Sequence, residues 1–215
     1  MKSMQACLAA LALLAVSALP ALAQTTYPPA AGCTLAGCTL SYTANGIQSQ
    51  VKTYKYTSLG NTPAATPTDI FTISGSASKT IRITKIVVGG AASTAGDLNP
   101  IIVHRSTANT GGSPTNPTPV PRDAVADSTA TATLALYTAN PATTGTVAGN
   151  WDSCRLFLQV TTTGAPDVCS FTYGVNDDQL PVLHGAGDYL AINFAGATLP
   201  SGAIVDIDVE WTEDP

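Results

Sequence analysis

Val205-Asp206-Ile207-Asp208-Val209-Glu210-Trp211 alternates apolar and acidic residues without interruption. Side chains of an extended chain point to opposite faces in turn, so Val205, Ile207, Val209 and Trp211 share one face. Asp206, Asp208 and Glu210 share the other. One face packed and one face wet is the signature of a half-buried antiparallel strand. The acidic row is expected to be solvated and to keep an edge strand from pairing with a neighbouring molecule.

Working back from this strand, similar segments recur. Val51–Thr57, Asp69–Ile73, Thr80–Val88, Ile101–Val103, Thr131–Tyr137, Arg155–Val160, Phe171–Tyr173 and Tyr189–Phe194 are rich in β-formers and bounded by Gly, Pro, Asn or Asp. The alternation of Thr80–Val88 changes phase at Thr84-Lys85, which predicts a bulge. No window carries helical periodicity. Residues 106–128 hold Gly111-Gly112 and four prolines between Pro114 and Pro121, and are expected to form a long ordered loop or a surface excursion. The fold expected is all-β: an antiparallel β-sandwich, jelly-roll-like, of about nine or ten strands.

The N-terminus has a separate character. Met1-Lys2, the uncharged apolar run from Ala9 to Val16, Pro20, and Ala21-Leu22-Ala23 before Gln24 form the three parts of a secretory signal peptide. The run is too short for a spanning helix. Residues 1–23 are therefore expected to be a signal peptide, 24–45 a flexible leader and disulfide loop, and 46–215 a single β-sandwich domain. The expected localisation is periplasmic, cell-surface or extracellular, with a virion as the alternative.

Four cysteines remain beyond that leader: Cys33, Cys38, Cys154 and Cys169. An even number in an exported chain reads as two disulfides, and four cysteines allow three connectivities. Cys33–Cys38 and Cys154–Cys169 are favoured because each closes a local loop. A zinc site at Cys33-x4-Cys38 lacks a histidine at ligand spacing.

Charge excludes some partners. The net charge is −5, and the nine basic residues are scattered without an aromatic-basic cluster, so nucleic acid is not an expected partner. No later stretch is long and apolar enough to span a bilayer as a helix. Charged residues make up 11% of the chain, against about 25% in ordinary soluble domains. A surface filled instead by Thr, Ala, Ser and Gly suits burial between subunits.

Motifs for chemistry are few. There is no Gly-x-Ser-x-Gly elbow, Walker loop, His-Glu-x-x-His or EF-hand loop. His104 reads as a strand-end residue. A hydrolase would use His184 as base, oriented by Asp178 or Asp188, but nothing nominates a nucleophile. The same acidic stretch offers Asp177, Asp178 and Asp188 as calcium candidates; otherwise no cofactor is expected. Trp151, Tyr137, Tyr54 and Tyr56 are candidates for a sugar-binding platform.

Arg105-Ser106, Ala108-Asn109-Thr110-Gly111-Gly112, Pro119-Val120-Pro121 with Asp123, Ala130-Thr131-Ala132, and Tyr137-Thr138-Ala139-Asn140-Pro141 with Gly145 form a further pattern. With the ending Asp206–Glu213, it resembles an uncharacterised family of phage- and prophage-encoded, virion-associated structural proteins over about residues 69–213. The resemblance implies a jelly-roll-like structural or decorating element, with a trimer as the expected homo-oligomer, and assigns no catalytic residue. The function expected is that of a non-enzymatic structural or interaction protein in a surface or virion-type assembly. The alternatives are an extracellular ligand- or carbohydrate-binding module and a hydrolase using His184.

Overall fold

A computed structural model describes residues 40–43, 46–49, 51–125, 127–160, 167–174 and 179–214. The signal peptide and Cys33–Cys38 expectations lie outside these residues. Fifteen strands and no α-helix occur among the described residues. β1 (Leu40–Thr43) and β2 (Gly46–Ser49) pair as a hairpin across the boundary expected at residue 45, so the leader's last residues are already strand.

Thirteen strands form two mostly antiparallel sheets. Eight of them build the frame: β3 (Lys52–Asn61), β4 (Asp69–Ser74), β5 (Thr80–Ala92), β7 (Ile101–Arg105), β10 (Val147–Ser153), β12 (Val168–Thr172), β14 (Tyr189–Asn193) and β15 (Ile204–Asp214). Their spatial orders are β3-β15-β5-β12 in one sheet and β10-β7-β14-β4 in the other. Consecutive strands of the frame thus switch sheets, except β7 and β10, which pair within one sheet, and the first and last lie side by side: two Greek keys, a jelly roll. β9 (Leu134–Leu136) is the paired part of the strand expected over Thr131–Tyr137. The strand count exceeds expectation because β1, β2 and β10 add to it, as do β6 (Gly96–Leu98), β8 (Val120–Pro121) and β13 (Val182–Leu183), these last three each two or three residues long. Alternation has no meaning over so short a span. β11 (Leu156–Val160) pairs with β6 and, in parallel, with the end of β5.

β15 follows its alternation residue for residue, with Val205, Ile207, Val209 and Trp211 buried. Its expected place does not hold. β15 is central, hydrogen-bonded to β3 on one side and β5 on the other. Alternation reports which faces are wet and is silent about whether a strand edge is free. The bulge expected in β5 is present: Lys85 faces Glu210 and Ile83 faces Trp211, leaving Thr84 over. The Thr84 hydroxyl donates to the Glu210 carbonyl at 3.1 Å.

The core lies between the sheets. Trp211 stacks on Tyr54 with ring centroids 6.0 Å apart, and Tyr56 stacks on Phe71 across the sandwich at 5.5 Å. Both tyrosines are buried, which removes Tyr54 and Tyr56 from any sugar platform.

Cys154 and Cys169 are bonded, with Cα atoms 6.1 Å apart, and staple β12 to the start of β11. The loop they close spans 15 residues. In the chain-entropy picture such a loop contributes about 3 kcal/mol. Replacing both cysteines by serine is expected to lower Tm by roughly 6–12 °C in calorimetry. Reduced wild type should match the double variant.

Candidate functional site

Three groupings of polar side chains stand out. The first is on the outer face of the five-stranded sheet. Arg105 and Asp69 lie 2.6 Å apart (Nε to Oδ2), both almost wholly buried. Arg105 also donates from Nη2 to Asp69 Oδ1 at 2.7 Å and from Nη1 to the Gly145 carbonyl at 2.5 Å. Asn193 donates to Asp69 Oδ1 at 2.5 Å and Asn109 to Asp69 Oδ2 at 2.9 Å, while Asn109 accepts the Gly145 N–H at 2.8 Å. Both Nη atoms of Arg105 and both Asp69 oxygens are hydrogen-bonded, while Nε faces Asp69 Oδ2 as an ion pair without hydrogen-bond geometry.

This network is a clasp. It ties both ends of the long excursion between β7 and β10 to the sheet beneath. Asn140 adds a second tie, accepting from Thr68 N–H and donating to the Thr66 carbonyl, each at 2.9 Å. Gly145 is required by close approach, since a Cβ there would meet the Thr107 carbonyl oxygen at 1.9 Å. Gly112 has φ 79°, and a Cβ would meet the Asn140 carbonyl oxygen at 2.9 Å. Arg105, Asn109, Gly112, Asn140 and Gly145 of the motif are therefore architectural.

From the other sheet, buried Glu213 reaches the same excursion. Its carboxylate accepts from the Thr131 N–H at 2.8 Å, the Thr131 hydroxyl at 2.7 Å, the Ala132 N–H at 3.0 Å and the Trp211 indole at 3.2 Å.

The second grouping is His104, Asp188 and Trp151. The His104 Nε2 is in contact with Asp188 Oδ1, and its ring stacks on Trp151 at 4.6 Å. Asp188 Oδ2 accepts the backbone N–H of His184 at 3.0 Å. In the hydrolase alternative Asp188 could orient His184; instead it contacts the ring of His104 and accepts only the backbone N–H of His184, whose side chain is exposed. Strand pairing causes this. β7 and β14 place Leu190 opposite His104, which brings Asp188 to a histidine 84 residues away. Asp178, the other proposed partner, lies outside the described residues. So does Asp177, leaving Asp188 as the calcium candidate that can be placed, with its oxygens facing His104 and His184. Among the described residues no group of three His, Cys, Asp or Glu is arranged to hold a metal ion.

The third grouping is the acidic row of β15. Asp208 pairs with Lys55 at 2.6 Å, Asp214 with Arg82 at 2.5 Å, and Glu210 with Arg122. Asp206 accepts the Gly60 N–H at 2.7 Å. The hydrogen bond and charge of Glu210 raise the Arg122 pKa further above its ordinary value. Burial, and then the charge of Asp152, push the Tyr173 hydroxyl well above the usual tyrosine range.

Beside the clasp lies an open cleft of about 520 Å³, between the excursion and the outer face of the five-stranded sheet. Thr72, Ala135 and Tyr189 form its floor with Tyr137, and Asn116–Pro119 forms one wall. Of the aromatic residues singled out in the sequence, Tyr137 is the one that lines it. Comparison of the chain with protein-family models, with curated proteins and with solved structures returns no match.

Proposed function

We propose that this chain is an exported, non-enzymatic structural or interaction protein that forms or decorates a surface or virion-type assembly as a homo-oligomer, in keeping with the family resemblance. The observation that carries the reading is the clasped excursion. The motif residues Arg105, Asn109, Asn140 and Gly145 hold about forty residues of loop as an ordered layer over one sheet, and loops held on a rigid scaffold are where binding surfaces are commonly built. The Cys154–Cys169 bond supports export, because such bonds persist in oxidising compartments. Exposed apolar side chains at Leu59, Val120 and Val125 supply area for subunit contact. No helix among the described residues is long and apolar enough to cross a membrane.

Size-exclusion chromatography with multi-angle light scattering on residues 24–215 is the direct test. A stable oligomer, with three chains the mass expected from the resemblance, is the predicted result. A strict monomer at micromolar concentration counts against this reading.

A further inference from the structure

We propose that the cleft over the five-stranded sheet is a binding site for a neutral saccharide. The cleft is preformed. Thr115 exchanges both backbone hydrogen bonds with Leu136, at 3.0 and 2.8 Å, and β8 pairs with β3, so the Asn116–Pro119 wall is held at both ends. Pro117 and Pro119 fix their own φ angles, which lowers the entropy lost when a ligand docks against them. The floor is of small side chains, Thr72 and Ala135, flanked by the rings of Tyr137 and Tyr189. Its volume falls within the range of about 300–1,000 Å³ usual for ligand sites.

The chemistry of the lining selects the ligand. Among the described residues, those lining the cleft include no Asp, Glu, Lys, Arg or His. A phosphate, carboxylate or amine entering it would lose water without gaining a counter-charge. A purely apolar ligand would strip water from Asn116, Thr118 and Thr129 and return no hydrogen bonds. The side-chain amide of Asn116 and the hydroxyls of Tyr137 and Tyr189 have no partner among the described residues. An uncharged polyol with an apolar C–H face satisfies both parts: the face against a tyrosine ring, the hydroxyls on amide and threonine groups. An open cleft also admits a chain of sugar units rather than one enclosed ring.

The test uses residues 24–215 on an array of neutral, sialylated, sulfated and uronic-acid glycans. Cellotriose, maltotriose and tri-N-acetylchitotriose are then titrated by calorimetry and saturation-transfer NMR. The expected result is binding of at least one neutral glycan, weakened about tenfold or more by Asn116→Ala and by Tyr189→Ala. Thr118→Arg, which places a large charged side chain in the cleft, should abolish it. Asn116 and Thr118 are exposed, so those two variants keep the test decisive should Tyr189→Ala fail to fold. No neutral glycan bound, or a preference for charged glycans, overturns the proposal. So does binding that survives Thr118→Arg, or a Thr118→Arg variant whose sole change is in oligomeric mass; the last would mark the cleft as a subunit contact.

Discussion

Asp69→Ala is expected to cost about 3–5 kcal/mol in urea unfolding, the largest effect of any single polar substitution in this molecule. The carboxylate is buried, and it is the acceptor for Arg105, Asn109 and Asn193 together. Truncation leaves a guanidinium in the interior with its charge uncompensated, the costly half of any buried pair. The double variant Asp69→Ala/Arg105→Met is expected to be more stable than Asp69→Ala alone, because the stranded cation is then gone. If the double variant proves the less stable of the two, the clasp derives its strength from packing rather than charge pairing. The m-value should be unchanged in each case if only stability is altered.

Glu213→Ala is expected to cost about 3 kcal/mol by a different route. Here no opposite charge is involved. Two backbone N–H groups, a hydroxyl and an indole N–H lose one shared acceptor at the end of the core. Hydrogen exchange separates this local loss from global unfolding: the Thr131 and Ala132 amides should lose protection beyond what the fall in stability explains. Glu213→Gln keeps one oxygen but turns an NH2 toward donors, so its loss should be smaller yet measurable. Wild-type exchange rates at Thr131 and Ala132 in the alanine variant would show that the carboxylate does not hold this end of the excursion.

The sheets were legible in the sequence where strands are long and half-buried. Alternation located β3, β5 and β15, and one phase change located the β5 bulge. β10 was not legible. Val147–Ser153 contains Gly149 and Asn150, carries two register shifts against β7, and lies at a sheet edge, so its side chains have no alternating environment to match. The acidic row was read correctly for its face and wrongly for its place, because period two carries no record of neighbours. Site residues were hardest. Arg105 and Asp69 are 36 residues apart, and His104 and Asp188 are 84 apart. No local pattern joins them; strand register does. Nearness in sequence makes His184 the natural partner for Asp188 in a hydrolase alternative, whereas the ring that Asp188 touches is that of His104.

The side-by-side placement of β3 and β15 has a consequence for synthesis. Because residues 204–214 fill the slot between two strands made long before, a nascent chain lacking them leaves both of those strands bare along one side. Contacts this distant in sequence close slowly. The eight-stranded sheet therefore cannot complete its pairing until residues 204–214 have been made, however early its other strands emerge from the ribosome.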